Sequence, residues 1–499
     1  MSGFFDNLAM GCHVALSIGN LAYCFLGVLI GTLIGVLPGI GPVGTISLLL
    51  PVTFGISPTS AIIMLAGIYY GAQYGGSTTS ILVNIPGEAT SVITCLDGYQ
   101  MARHGRAGPA LGIAAFGSFI AGTIGTIIVM LVAVPLSAVA LKFGPPEYFS
   151  LIILSLAILS YLAHGSLVKA VIMAILGVSL SQIGIDGVTG RTRFTFGILD
   201  LQDGLGLVPV VMGLFGVAEV LENLEESLNI DVFKTKIKNL LPNLRDWAES
   251  IGAIIRGSFL GFFLGILPGG GAIMSTFVSY ALEKKLSKHP EKFGTGVIAG
   301  VAGPESANNA ASSGAFIPLF TLGFPSNAIT ALLLGALMIH GVQPGPTLIE
   351  KHPDIFWGTI ISMYIGNILL VVLNLPLIGL WVRILKVPYK ILFPLLLLLC
   401  IIGSYSTNNS KFDVLIMLIF GVIGYSFRKF DYELAPLVIA FVLGPILETS
   451  LRQSLLISKG SISIFFMRPI SVACLIIGAA VLLLPVALRQ SRRLREKIT

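Results

Sequence analysis

The chain has 499 residues, of which 55% are hydrophobic and only 11% charged, against about a quarter charged in soluble domains, and its mean hydropathy is +0.92. Water cannot solvate every side of such a chain, which excludes an ordinary soluble enzyme or binding module. The net charge of +6 falls mostly in loops, so it reads as membrane orientation and not as a nucleic-acid footprint.

The first apolar stretch runs Leu21–Leu37, and the residues before it lack a charged leader region, so no cleavable signal is expected. Further stretches run Ala110–Ala140, Phe356–Trp381, Ile391–Gly403 and Ile470–Leu488. With Gly and Pro interrupting many runs, roughly 10 to 13 transmembrane or re-entrant helices are expected. The 58 glycines and 26 prolines imply broken helices, tolerated in a membrane where neighbouring protein re-satisfies the freed backbone groups. Cys12, Cys24, Cys95, Cys400 and Cys474 are scattered with no CxxC pair, which points to neither a disulfide framework nor a transition-metal site. The fold class is an all-α integral membrane protein.

An internal repeat organises it. Gly27–Gly41 reads GVLIGTLIGVLPGIG and Gly257–Gly271 reads GSFLGFFLGILPGGG, with seven of 15 positions identical at an offset of 230. Gly75 and Pro86 then match Gly314 and Pro325 at an offset of 239, and Met101, Gly108 and Pro109 match Met338, Gly345 and Pro346 at 237. The expected division is a first transmembrane repeat at 1–220 and a charged cytoplasmic linker at 221–250, then a second repeat at 251–450 and a C-terminal transmembrane segment with a basic cytoplasmic tail at 451–499. Loop charge predicts how the repeats sit. Pro51–Pro58 carries no Lys or Arg, whereas its counterpart carries Lys284, Lys285, Lys288 and Lys292. In the next pair the bias swaps, with Arg103 and Arg106 in the first half and no Lys or Arg in Met338–Pro346. Positive loops stay cytoplasmic, so the repeats are expected upside down relative to each other, as in many secondary transporters.

Each LPGxG ends a Gly-spaced apolar helix. The stripe Gly27, Gly31, Gly35 suits close helix packing, while the Pro-Gly break frees carbonyls that can hold Na⁺ and helix ends that can hold carboxylates. Gly39, Gly41, Gly269 and Gly271 are therefore candidate ion ligands through their backbone. The polar runs Ser77, Thr78, Thr79, Ser80, Asn84 and Ser306, Asn308, Asn309, Ser326, Asn327 are candidate substrate donors, matched between halves. The competing reading is that hydroxyls merely bond their own helix carbonyls. Glu88 and Glu305 are carboxylates in apolar sequence and candidate ion ligands, or else interfacial carboxylates at helix N-termini. Asp97 lies closer to a loop. His164 and His340 read as core or interface histidines. No GxxxxGK[ST], HExxH or GxSxG occurs, so nucleotide hydrolysis by a phosphate loop and the commonest hydrolase chemistries have no carrier here.

The segments GVLPGIGP at Gly35–Pro42, YGGSTTSILVNIPGE at Tyr74–Glu88, GILPGGG at Gly265–Gly271 and PESANNAA at Pro304–Ala311 resemble the large membrane subunit of the tripartite tricarboxylate transporters, the TctA family. The resemblance runs from about Phe25 to Leu455. It implies a multi-pass subunit of a secondary, cation-coupled importer in the bacterial inner membrane, coupled to Na⁺ or H⁺ and needing no other cofactor. The implied partners are a small membrane subunit of about four helices and a periplasmic solute-binding protein, with citrate and other di- and tricarboxylates as substrates. An intramembrane enzyme and an uncoupled channel subunit are the alternatives. The opposed charge bias gives a direct check: cysteines placed at Ser57 and Ser287 should label from the periplasm and the cytoplasm respectively. Labelling of both from one side would sink the inverted arrangement.

Overall fold

The computed structural model describes residues 2–37, 41–162, 166–225, 239–269, 271–385 and 389–496. The chain folds as α1 (Ser2–Ala15), α2 (Ile18–Val36), α3 (Gly41–Leu49), α4 (Pro58–Val83), α5 (Val92–Arg103), α6 (Ala107–Ala140), α7 (Pro145–Leu162) and α8 (Leu167–Leu180). A two-stranded hairpin follows, β1 (Gly184–Ile185) against β2 (Thr192–Arg193). Then come α9 (Leu207–Val211) and α10 (Ala218–Glu225), joined by a wide π-type turn at Met212–Val217. The second half brings α11 (Leu244–Ile266), α12 (Gly271–Leu286), α13 (Ala299–Gly314), α14 (Ala328–Ile339), α15 (Leu348–Lys351) and α16 (Pro353–Asn374). The rest is α17 (Ile378–Ile384), α18 (Tyr389–Asn408), α19 (Lys411–Lys429), α20 (Ala435–Ile457), α21 (Ile464–Met467) and α22 (Pro469–Glu496).

Among the described residues seven helices are long and apolar enough to cross a membrane. They are α2, α6, α7, the joined Leu207–Glu225, α11, α16 and α20, with shorter apolar helices between them. The all-α membrane fold expected from composition is what forms. Helix starts follow local chemistry: Ser17 accepts from the Asn20 N–H (3.4 Å) and Ser57 from that of Ser60 (3.1 Å). Asn243 and Asp246 cap α11 reciprocally, at 2.8 and 3.1 Å. Residues 244–250 of the expected linker thus already belong to α11.

The two halves run through the same order of elements. In each, a Gly-striped helix meets an LPGxG break and a second helix. A polar helix follows, then a Pro-containing break, then another helix. α2 packs on α4, and α11 on α13. The halves then exchange long helices: α6 crosses α11 and α13, while α16 crosses α2 and α4. α4 and α13 lie at the centre, with every residue of Thr59–Val83 and of Gly300–Gly314 buried. Outside this core α7, α8, α20 and α22 pack together, and α19 packs on Leu207–Glu225. The small hairpin is pinned to α20 by Asp186, which accepts from Arg452 at 3.0 and 3.1 Å. The Val188 backbone N–H and the neighbouring arginines hold the Asp186 carboxyl well below the usual carboxylate range.

The stripe glycines are contact points. A β-carbon at Gly27, Gly31 or Gly35 would lie 2.2, 2.5 or 2.1 Å from the carbonyl oxygens of Met64, Ile68 and Ala72. At Gly257, Gly261 and Gly265 the corresponding oxygens of Gly303, Ala307 and Ala311 would lie 2.4, 2.1 and 2.2 Å away. The packing reading of the stripe is the one the structure supports. Gly27→Val should therefore destabilise by about 1–3 kcal/mol or more through overpacking. Gly19→Ala, on the same helix with nothing within 4 Å, should be silent. Thermal melting of the two variants in detergent checks this; equal melting would refute backbone contact as the packing device.

Candidate functional site

Four helix breaks build the site. α2 ends at Leu37 and α3 begins at Gly41, in the left-handed region at φ 63°. α4 ends at Asn84 (φ 59°), and the single turn Ala89–Ser91 leads into α5. α11 ends at Leu267 and α12 begins at Gly271, with Gly269 at φ 110° between them. After α13 the chain turns through Gly323 to Asn327, which caps α14 through the Thr330 N–H at 2.9 Å. Within each half the two breaks touch. A β-carbon on Gly87 would sit 2.2 Å from the Gly35 carbonyl, and the Gly269 N–H donates to the Ser326 carbonyl at 2.8 Å.

All four breaks line one cavity of about 540 Å³, a size typical of small-molecule sites. Its wall includes the first turns of three helices: Gly41–Gly44 of α3, Ala272 and Ile273 of α12, and Ala328 and Ile329 of α14. Glu88, Ala89 and Thr90 contribute the turn before α5. Helix N-termini carry unpaired N–H groups and partial positive charge. Several helix N-termini around one cavity gather neutral backbone donors at its wall.

Two hydrogen bonds cross between the halves at equivalent places. The Asn308 amide of α13 donates to Glu88 Oε1 at 3.2 Å, and the Asn327 amide donates to the Tyr69 hydroxyl of α4 at 3.0 Å. At the repeat offset of 239, Glu88 corresponds to Asn327 and Tyr69 to Asn308. Only the first half puts a carboxylate in this position. Glu88 also accepts from Thr90.

The sequence candidates are distributed unevenly around the cavity. Gly41, Gly269, Glu88 and Asn327 line the cavity. Gly271 lies one residue from the lining Ala272, and Gly39 lies outside the described residues, as does His164. Most hydroxyls and amides of the polar runs are engaged within the protein. Ser77 donates to Glu305 Oε2 at 2.5 Å and Thr94 to Glu305 Oε1, joining α4 and α5 to α13. Thr79 donates across the first break to the Val36 carbonyl at 2.7 Å. Ser80 donates to Ser91 at 2.9 Å, and Thr78 bonds its own helix at Tyr74. Asn309 donates to Ser118 of α6 at 2.7 Å. Asn84 closes α4 and is exposed. Ser306, Ser326 and the Asn308 amide oxygen are buried without a hydrogen-bond partner. His340 follows α14 as its cap residue.

Sequence reasoning missed several side chains that line the cavity, among them Tyr69, Gln73, Glu219, Arg428 and Glu433. Gln73 is fully buried, and neither atom of its amide has a partner. Its lone position in an otherwise apolar turn before the polar run was the available signal. Arg428 ends α19 and is held by Glu219 and, at 2.7 Å, by Glu222. Glu219 lies 209 residues before Arg428 in the chain, so the pairing has no local signature.

Asp97 is fully buried and serves as an anchor. Its carboxylate accepts from the backbone N–H groups of Gly294 (3.0 Å), Gly296 (2.7 Å) and Val297 (2.8 Å) and from the Tyr280 hydroxyl (2.9 Å). It thereby fixes the loop that enters α13. Asp97→Ala leaves three backbone amides of a partly exposed loop and the Tyr280 hydroxyl without their acceptor, and a hydrogen bond to a charged group is worth about 1.5–3 kcal/mol. Membrane levels and melting temperature should fall sharply, while the folded fraction keeps its substrate affinity. Normal melting with lost affinity would instead move Asp97 into the site.

Residues 21–439 match the profile of the tripartite tricarboxylate transporter TctA family. A 52.8 kDa protein in the TAR-I ttuC' 3'region of Agrobacterium vitis is 50% identical over 498 residues, covering 100% of this chain and 99% of that one. A TAR-II ttuC' 3'region protein of the same organism is 50% identical over 224 residues, 45% of this chain and 93% of its own length. A protein of Methanocaldococcus jannaschii is 24% identical over 402 residues, 78% of this chain and 88% of its own. No solved structure matches. With the family profile spanning most of the chain and a relative aligned end to end, the chain belongs to the TctA family, the large membrane subunits of tripartite tricarboxylate transporters.

Proposed function

We propose that this subunit is the transport pathway of a binding-protein-dependent, cation-coupled importer of small di- and tricarboxylates such as citrate, in a bacterial inner membrane with its C-terminus cytoplasmic. The observation that carries the reading is the convergence of helix N-termini from both halves on one cavity. Substrate carboxylates would accept from the backbone N–H groups at Gly41–Gly44, Ala272–Ile273 and Ala328–Ile329. Arg428 adds a cation at the wall, already shared with Glu219 and Glu222. The coupling ion, Na⁺ or H⁺, belongs at Glu88, whose counterpart in the second half is the neutral Asn327. A carboxylate facing an anion site repels the substrate until a cation neutralises it, which is a physical route to coupling. Glu305 is the alternative ion site, but both of its oxygens are already engaged by hydroxyls.

The expected partners are a small membrane subunit of about four helices and a periplasmic solute-binding protein. Proteoliposomes holding both membrane subunits, supplied with the binding protein and labelled citrate, test the whole reading. Uptake should require the binding protein and rise with an inward Na⁺ or H⁺ gradient. Glu88→Gln should weaken the cation dependence about ten- to a hundredfold, the worth of a charged interaction, while carboxylate binding persists. Uptake that ignores every gradient would favour an uncoupled channel, and conversion of the substrate without transport would favour an intramembrane enzyme.

A further inference from the structure

The cavity of the four breaks is not the place where charge most favours an anion. Its wall carries three carboxylates, Glu88, Glu219 and Glu433, against the one guanidinium of Arg428. Across the Pro-containing break of the second half lies a larger cavity, of about 740 Å³. Leu322, Gly323 and Phe324 line this one, while Asn327 at the far end of the same break lines the other. The larger cavity has the opposite charge balance. Lys351 is the one charged side chain on its wall among the described residues.

The acidic groups on the elements around it are turned elsewhere. Glu147, at the start of α7, accepts from Arg468 (3.3 Å) and from the Gly144 N–H (2.9 Å). Glu448 of α20 pairs with Arg193 (2.9 Å) and Arg452 (2.7 Å). Glu350, beside Lys351 in the chain, lies outside the wall. Lys351 itself is exposed and forms no ion pair among the described residues. Neutral donors complete the wall: Tyr148, Gln343, Thr347 and Gln453. An ammonium with no opposing carboxylate, set in a cavity with low-dielectric walls, focuses potential and concentrates anions. The cavity also has the size of a small-molecule site.

We propose that this cavity is a second, separate binding site for a small organic anion, with Lys351 receiving one of its carboxylates. The identity of the anion rests on the importer reading; the existence of the site does not. The loop Met338–Pro346, which contributes to the wall, carries no Lys or Arg, and loop charge therefore assigns the cavity to the periplasmic side. An anion held there waits on the opposite side of the break from Glu88.

The test reads the charge of the cavity without transport. Thr449→Cys places a thiol on its wall, and the wild-type chain gives the background from its five native cysteines. Modification rates are measured with an anionic and a cationic methanethiosulfonate of matched size. The anionic-to-cationic ratio should fall about tenfold when Lys351→Gln is added, and recover with Lys351→Arg, the effect of one nearby charge in a partly aqueous cavity. Citrate should slow modification by a neutral methanethiosulfonate, whereas its uncharged triethyl ester should not. Lys351→Gln should raise the protecting citrate concentration about ten- to a hundredfold, the worth of a hydrogen bond to a charged group. Because Lys351 is exposed, the melting temperature should hold in both variants, which separates a lost site from a folding defect. A rate ratio indifferent to Lys351→Gln, or citrate protection undiminished by it, overturns the inference and leaves the importer reading to the uptake experiment. Protection by phosphatidylglycerol in nanodiscs but not by citrate also overturns it, and gives Lys351 to a lipid headgroup. Citrate that binds nowhere on the purified full chain in equilibrium dialysis overturns both.

Discussion

Backbone-to-backbone contact between α2 and α4, repeated between α11 and α13, is the constraint on which the rest of the structure depends. In a bilayer the hydrophobic effect does not press helices together, so association relies on close packing and hydrogen bonds. The stripe glycines supply that packing by letting carbonyl oxygens of the facing helix approach to where a side chain would be. Because α4 and α13 are held this way, they can be polar and yet central. Each is wrapped by apolar helices, so serines, threonines and asparagines face protein and not lipid. The Ser77–Glu305 bond at 2.5 Å then ties the two central helices together across the repeats.

The same arrangement explains why the breaks are tolerated. An unwound segment in lipid leaves backbone groups unpaired at a cost of several kcal/mol each. Here each break is covered by another: Gly87 lies against Gly35, and Gly269 donates to Ser326. The first turns of the helices that restart line the cavity, with the Thr330 N–H of α14 capped by Asn327 and the Gly271 N–H of α12 by the Gly269 carbonyl. The polar groups that the fold cannot satisfy internally are thereby gathered in one place. The repeat makes this gathering nearly symmetric, and the difference between Glu88 and Asn327 is where the symmetry lapses.

Much of the framework was legible in the sequence because it depends on local pattern. Apolar runs gave the membrane class, LPGxG gave the breaks, and the offset of 230 gave the matched order of elements. Yet α4 and α13 would not be found by hydropathy: they are absent from the seven candidate spans because burial among other helices, not contact with lipid, sets their composition. Of the sequence candidates, Gly41, Gly269, Glu88 and Asn327, which sit at the breaks themselves, line the cavity. Ser77, Thr79 and Asn309 carry the same polar signature but hydrogen-bond Glu305, Val36 and Ser118. A sequence shows that a hydroxyl is present, not whether a distant carbonyl already holds it. Arg428 was invisible for the complementary reason: its place at the cavity follows from how α19 packs on Leu207–Glu225, a contact with no repeat or motif to announce it.

A second cavity of about 740 Å³ lies on the other side of the 323–327 segment, lined by Leu322–Phe324, Tyr148, Gln343, Lys351 and Gln453. α20 lines both, at Ile439 for the first and at Thr449 for the second. At 1.5 Å per residue these points are roughly 15 Å apart along the helix. The wall between the cavities therefore includes the Pro-containing break of the second half. That break is tethered to its surroundings by the Gly269–Ser326 and Asn327–Tyr69 hydrogen bonds, at 2.8 and 3.0 Å. Two neutral hydrogen bonds are together worth about 1–3 kcal/mol net. Micromolar binding of a ligand corresponds to about 8 kcal/mol. Both tethers come from residues that line the first cavity, Gly269 and Tyr69, so the break and that cavity share one set of contacts.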